Sequence, residues 1–196
     1  MNSVEAKVCV YCGSSRQCRP IYHEAAEQLG RILAQRGLTV VYGGGGVGSM
    51  GALAEGVLAE GGKVIGVIPR FMVDLEWGHQ RLTERVVVQD MRERKRRMLE
   101  GSLAAIALPG GCGTMEELME TITLKRLGLY NGAIVLVNTH HYFQPLLEML
   151  HHAITEKFMD ARHAMMWSAV ERPDEVPQAI QTSAPWDEEC RKFAVL

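Results

Sequence analysis

Two short stretches of this 196-residue chain place ionisable side chains beside backbone that could hold an anion. The first is Met91-Arg92-Glu93-Arg94-Lys95-Arg96-Arg97-Met98. At about 100° per residue, Met91 and Met98 fall nearly on one line of a helix, with Leu99 beside it. That stripe must face inward. Arg94 and Lys95 flank it, Arg92 and Arg96 lie farther round, and Glu93 is opposite. Arg94 and Lys95 therefore point at the body of the protein, whereas the rest of the run is a solvated face. An inward arginine needs an anionic partner, and Glu117 or a phosphate would serve.

The second stretch is Pro109-Gly110-Gly111-Cys112-Gly113-Thr114-Met115-Glu116-Glu117. Proline ends a strand, glycines let backbone approach a ligand, and Thr114 starts a helix. Thr114-x-x-Glu117 is a capping box. Capping alone does not call for so many glycines, and a carboxylate near an anion-binding helix start is repelled unless something needs it. Glu117 is thus a functional candidate. A third stretch, Gly43 to Gly51, follows a strand, opens a helix and contains GxGxxG at Gly46, Gly48 and Gly51. A dinucleotide enzyme would carry an acid about 20 residues on, at the next strand end. That strand ends Val67-Ile68-Pro69-Arg70, without one. The Lys-Ser/Thr of a P-loop is also missing. The glycines either allow tight strand-to-helix packing or touch a phosphate, and the strand–loop–helix context favours the phosphate.

These loops must be positioned by the elements between them. Apolar runs at Val8–Tyr11, Leu38–Tyr42, Val64–Ile68, Val86–Val88, Leu103–Leu108, Ala133–Val137 and Met165–Val170 read as strands covered on both faces. Between them, Ile21–Gln35, Ser49–Glu60, Thr114–Leu127 and about Phe143 to Phe158 have helical period, with Gly37, Gly61-Gly62 and Gly128 as stops. The alternation predicts an α/β fold: a doubly wound, Rossmann-like sheet of about seven mostly parallel strands with helices on both faces. Residues 1–182 form one domain in this reading, and 183–196 a C-terminal tail. Ligands then sit beyond the carboxyl ends of the strands.

Twenty-one basic and 23 acidic residues give a net charge of −2, which removes the electrostatic case for nucleic acid or an anionic membrane. No apolar run approaches the roughly 20 residues of a membrane span, and the start lacks the pattern of a secretory signal. A cytoplasmic location is expected. The cysteines at 9, 12, 18, 112 and 190 are odd in number. Cys9-x-x-Cys12 has no matching second half for zinc, and the histidine pairs His140-His141 and His151-His152 are adjacent rather than one helical turn apart. No metal is expected.

Together, Met91-x-x-Arg94-Lys95 and Pro109-Gly-Gly-x-Gly-Thr114-x-x-Glu117 resemble the LONELY GUY family of cytokinin riboside 5′-monophosphate phosphoribohydrolases, whose bacterial members were often misnamed lysine decarboxylases. The resemblance runs from Cys12-Gly13-Ser14-Ser15 through Gly43–Gly51 and Glu76 to about Tyr142. It implies dimers, or multiples of dimers, and no metal or organic cofactor. It matches Arg94 and Glu117 to the catalytic pair. Glu76, Lys95, Gly111, Cys112, Gly113, Thr114, Met115, Glu116 and Thr123 match positions that hold the nucleotide. Ser14, Gly44, Gly45, Gly46 and Met91 are additional contact candidates. Arg92 replaces a histidine and Cys112 a tyrosine common in plant members.

The implied reaction splits a purine nucleoside 5′-monophosphate, AMP or an N6-substituted relative, into free base and ribose 5-phosphate. A carboxylate near the anomeric carbon would stabilise positive charge on the sugar and activate water. The alternative is a non-catalytic nucleotide or molybdopterin carrier on the same sheet, which could keep the glycine loops without pairing Arg94 with Glu117. A nicotinamide enzyme lacks its ribose acid, and no lysine stands out for pyridoxal chemistry.

Overall fold

The computed structural model describes residues 6–75 and 78–194. Seven strands, β1 (Lys7–Tyr11), β2 (Thr39–Tyr42), β3 (Val64–Pro69), β4 (Glu84–Val88), β5 (Ser102–Ala107), β6 (Ala133–Val137) and β7 (Ser168–Val170), form one sheet in the order β4-β3-β2-β1-β5-β6-β7. Every pairing is parallel. The central strands are apolar at nearly every position because helices cover both faces. The edges are managed differently: β4 exposes Glu84 and Arg85, and β7 has only three residues.

The helices are α1 (Pro20–Gln35), α2 (Gly48–Ala59), α3 (Arg70–Asp74), α4 (Met91–Leu99), α5 (Cys112–Arg126), α6 (Gln144–Thr155) and α7 (Val176–Gln181). One face of the sheet packs α1, α2 and α7, with Leu29, Leu33, Leu53 and Val57 fully buried. Each such side chain contributes about 2 kcal/mol of burial. The opposite face carries α4, α5 and α6 through Met98, Leu118, Ile122 and Leu150. Helix α1 follows the expected stripe, and Gly37 stops it with a positive φ of 70°.

Three boundaries differ from the sequence reading. Helix α5 begins at Cys112, with extended Gly111 as N-cap, so Thr114 is inside the first turn and does not cap it. The expected capping box is therefore absent. Met165 and Met166 belong to a 3-10 turn over Ala161–Met166 opened by the Asp160 side chain, which delays β7 to Ser168. Helix α6 stops at Thr155 because Lys157 turns left-handed (φ 63°), with the Phe158 amide donating back to Ala153 O. Short α3 has no helical period to reveal it.

Beyond α7, the chain packs against the C-terminal end of α5. Trp186 Nε1 donates to Lys125 O at 2.7 Å, and Arg191 Nε donates to Leu127 O at 3.1 Å. These bonds satisfy carbonyls that the helix end leaves open. The switch point of the sheet lies between β1 and β5, where the strand order reverses. Their carboxyl ends lead into Cys12–Ser15 and Leu108–Gly111, which places the second glycine stretch at the expected crevice.

Candidate active site

Helix α4 delivers Arg94 inward as its spacing predicts. Asp90 caps the helix, its side chain accepting from the Glu93 amide at 2.8 Å. Arg94 is buried, Arg92 is exposed, and Lys95 is between the two. The Arg94 guanidinium is held on three sides: Nε donates to Val67 O at 3.0 Å, Nη2 donates to Gly43 O at 2.9 Å, and Nη1 lies 3.5 Å from Glu117 Oε1. A Cβ on Gly43 would sit 2.0 Å from Arg94 Nη2, so only glycine leaves the guanidinium its place. Two strand-end carbonyls and one carboxylate thus fix the arginine as a unit.

Glu117 is the partner that the inward arginine requires. Its side chain is 5% exposed. Burial is the main influence on its pKa and raises it to about 7, with Arg94 and Lys95 pulling down and Glu116 and Glu120 pushing up. The carboxyl therefore titrates near neutrality, where a group can both accept and return a proton. One turn further along α5, Thr121 Oγ1 donates to Glu117 O at 2.9 Å and meets Tyr11 OH at 2.8 Å, tying the helix to the end of β1.

The N-terminus of α5 lies one turn away in the other direction. Its N-cap, Gly111, supplies no side chain, and the helical bonding begins with the Met115 amide donating to Gly111 O at 3.1 Å. The amides of Cys112, Gly113 and Thr114 are the donors that an α-helix start leaves open. Gly111, Cys112 and Gly113 are exposed, and a Cβ on either glycine would meet no atom within 4 Å. Thr114 is buried, its Oγ1 filling the space where a Gly110 Cβ would stand. Thr114 and Glu117, three apart, share a face of the helix. Exposed amides and a buried carboxyl are thus separated by about 5 Å of helix, roughly one turn.

The first glycine loop is largely occupied by protein. Gly43 O accepts from Arg94, Gly44 O from the His79 amide at 2.9 Å, and Gly45 O from Tyr42 OH at 2.9 Å. His79 is clamped in turn, with Nε2 2.9 Å from Glu55 Oε1. At the start of α2 the Met50 amide already donates to Gly13 O at 3.1 Å. Gly44 and Gly45 therefore have a packing role, and a Cβ on Gly46 would stand 3.2 Å from His79 Cα.

One depression borders Glu117 and a second lies at the switch point. The first, of about 440 Å³, is lined by Tyr11, Lys95, Leu99, Glu117, Glu120 and Tyr130, among others. The second, of about 320 Å³, includes Ser14, Ser15, Gly110, Gly111 and Tyr142. Of the remaining candidates, Lys95 pairs with Glu116 at 2.7 Å and Glu120 at 2.9 Å. Met115 is half-buried on α5, and Met91 is half-buried at the start of α4. Thr123 is exposed, its hydroxyl donating to Met119 O at 2.8 Å, and lies on a different face of α5 from Glu117. Glu76 lies outside the described residues. Sequence reasoning missed the carbonyl cradle from Gly43 and Val67, since backbone acceptors carry no residue signature. Among the described residues, no group of His, Cys, Asp and Glu could hold a metal ion.

Residues 50–180 match the family described as possible lysine decarboxylase. A probable cytokinin riboside 5′-monophosphate phosphoribohydrolase of Oryza sativa subsp. japonica is 44% identical over 155 residues, covering 79% of this chain and 70% of that protein. A cytokinin riboside 5′-monophosphate phosphoribohydrolase of Rhodococcoides fascians is 46% identical over 153 residues, covering 78% and 77%. The chain belongs to this phosphoribohydrolase family. Among solved structures, the molybdenum cofactor carrier protein of Chlamydomonas reinhardtii superposes with a TM-score of 0.68 at 20% identity, covering 90% of this chain and 96% of that one. At that identity the likeness is one of fold. The phosphoribohydrolase relatives fit the resemblance carried by Arg94-Lys95 and the Pro109–Glu117 stretch, and the parallel sheet fits the expected Rossmann-like architecture.

Proposed function

We propose that this chain hydrolyses the N-glycosidic bond of a purine nucleoside 5′-monophosphate, releasing the free base and ribose 5-phosphate. The observation that carries the reading is the buried Arg94–Glu117 pair one helical turn from open amides. A phosphate on the Cys112–Thr114 amides, favoured by the helix dipole, places the sugar of the same nucleotide along the turn that ends at Glu117. Breaking the C1′–N bond leaves positive charge on the ribose and an electron pair on the base. The Glu117 carboxylate stabilises the first and takes a proton from the attacking water, whose oxygen bonds to C1′. A proton returns to the departing base, so that one water is consumed per bond cleaved. Arg94, with its other donors engaged by carbonyls, keeps the carboxylate oriented and partly ionised. Phosphate binding away from the reacting bond helps to hold the sugar in place. Lys95, tied to Glu116 and Glu120, completes the charge around the pocket, and Glu76 joins the substrate contacts by the family match.

The chain acts as a homodimer in this proposal. Met119, Thr123 and Leu127 recur every fourth residue on the exposed side of α5, with Leu103 and Leu129 also exposed. Thr123 matches a nucleotide-holding position yet faces away from its own Glu117. A second copy packed on this stripe gives Thr123 a site to serve. Size measurement by light scattering at micromolar concentration checks it: a dimer is expected, and a monomer would remove the argument. A cytoplasmic location fits the composition, and no described helix is long and apolar enough to cross a membrane.

The activity test is release of base from AMP and from an N6-isoprenoid AMP, with adenosine as control. Both monophosphates should be cleaved and adenosine should be far poorer. Equal turnover of AMP and adenosine would separate the open amides from phosphate binding. A molybdopterin or nucleotide carrier would bind without releasing base, and it has no need of a buried Arg94–Glu117 pair.

A further inference from the structure

We propose that Tyr142 is a positioning residue that sets the anion-binding loop at the start of α5, an inference that rests on the phosphate reading above. After β6 the chain makes an unusual turn. His140 and His141 both adopt left-handed backbone, with φ of 53° and 57°, a region uncommon for residues other than glycine and here occupied twice in succession. Asn138 fixes the turn from both sides, its backbone oxygen accepting from the His141 amide at 2.9 Å and its Oδ1 from the Phe143 amide at 2.6 Å. The residue delivered by this construction is Tyr142.

Its ring is gripped edge-on by Tyr22 (centroids 5.6 Å apart, 72° between planes) and by Phe143 (5.2 Å, 87°). Its hydroxyl donates to Gly110 O at 2.5 Å. Gly110 is the residue before the N-cap, so the direction of its carbonyl fixes the peptide plane from which Gly111 and the open amides of α5 follow. Bonded to Tyr142, that carbonyl has its direction set and a lone pair engaged. The loop is also pinned beside it, the Gly13 amide donating to Pro109 O at 3.2 Å. Tyr142 lines the same cavity of about 320 Å³ as Ser14, Gly110 and Gly111. It touches the loop without touching the Arg94–Glu117 pair, so it governs how the phosphate is held and leaves the bond-breaking step alone.

The test compares wild type with Tyr142→Phe, which keeps the ring and removes only the hydroxyl. Binding of ribose 5-phosphate is read from its effect on thermal melting, and steady-state kinetics are measured with AMP. The variant should need about tenfold more ribose 5-phosphate for the same rise in melting temperature, and its KM for AMP should rise about tenfold, as loss of one such hydrogen bond allows. The kcat at saturation should stay within about twofold, since the lost hydrogen bond weakens phosphate binding equally in the substrate and transition-state complexes. Tyr22→Leu, which removes the brace and keeps the hydroxyl, should weaken ribose 5-phosphate binding in the same direction. A Tyr142→Phe protein that melts lower but responds to ribose 5-phosphate like wild type would make Tyr142 a structural brace and overturn the proposal, with the proposed function intact. A fall in kcat with KM unchanged would overturn it equally. Wild type that releases base from AMP yet fails to respond to ribose 5-phosphate would overturn this proposal alone, and wild type that does neither would overturn both.

Discussion

Replacing Glu117 by glutamine separates its effect on stability from its effect on catalysis, and the two should share one pH range. In the folded chain the carboxyl titrates at about 7, against 4.5 for an unperturbed glutamate. The folded state therefore holds its proton more tightly than the unfolded state. Below the unfolded value both forms are protonated and burial has no ionic cost. As pH rises from 4.5 to 7 the unfolded chain ionises first, so stability falls, and above 7 the whole cost is present. A shift of this size corresponds to about 3 kcal/mol. For a chain of this length that is a drop of about 6–12 °C in Tm between pH 4.5 and 7.5. His163, whose pKa burial pushes down, slopes the other way as pH falls through its unfolded value. The difference between wild type and Glu117→Gln is therefore the quantity to read.

Thermal or denaturant melts of both proteins across pH 4.5–8 give that difference. Glu117→Gln should lack the downward slope. It leaves Arg94 without its anionic partner, but the bonds to Val67 O and Gly43 O persist, so a folded protein is expected. Base release from AMP should fall by at least about 100-fold in the variant, near 2.7 kcal/mol of transition-state stabilisation. In wild type, kcat/KM should rise with pH through about 7, because the ionised carboxylate is the working form. Identical stability slopes in the two proteins would refute the burial argument. A Gln variant that cleaves AMP at the wild-type rate would refute the catalytic one.

Gly43→Ala inserts a methyl group into the space of the Arg94 guanidinium and should cut kcat by at least about 100-fold while the chain still folds, checked by base release and circular dichroism. Arg94→Lys should be similarly impaired because lysine loses the planar fork whose three nitrogens reach Val67 O, Gly43 O and Glu117, whereas exposed Arg92→Lys should be nearly silent in the same assay. Lys125 is fully buried and its pKa falls to about 8 through desolvation, so its ammonium destabilises the fold below pH 8 and that cost fades towards pH 10.5. Lys125→Met should abolish this alkaline rise of up to about 3 kcal/mol in denaturant melts. His141→Gly should raise stability by about 1 kcal/mol by relieving left-handed backbone, read as a higher midpoint in urea.

How far the site was legible depends on whether its parts leave a periodic trace. Arg94 did, because Met91 and Met98 define the inward side of α4 and helical geometry turns that into a direction for every neighbour. The strands did too, since burial on both faces makes Val40–Tyr42 and Ala133–Val137 nearly continuous apolar runs. The start of α5 did not. Thr114-x-x-Glu117 has the spacing of a capping box, and local propensity favours that reading. Gly110 overrides it: by leaving room for Thr114 Oγ1, it lets the helix start two residues earlier and draws both side chains inside. The turn through His140 and His141 was illegible for the opposite reason, since left-handed backbone at two successive residues leaves no pattern in the sequence and is held by tertiary bonds such as those of Asn138.

The misread cap and the unread turn meet at one place. Gly110 is crowded by Thr114 on one side and bonded by Tyr142 on the other. A helix with a conventional N-cap would have closed an amide that a phosphate could use. An uncapped start is tolerable when water or an anion completes it, and it costs stability that the tertiary frame must supply. Here Tyr142, Gly13 and the buried Thr114 supply it, and Glu117, no longer needed as a capping side chain, is free to face Arg94. The local rule that fails at Thr114 and the strain accepted at His140 and His141 are thus two halves of one arrangement, which keeps donors open at the end of α5 and a carboxyl near its neutral point one turn below.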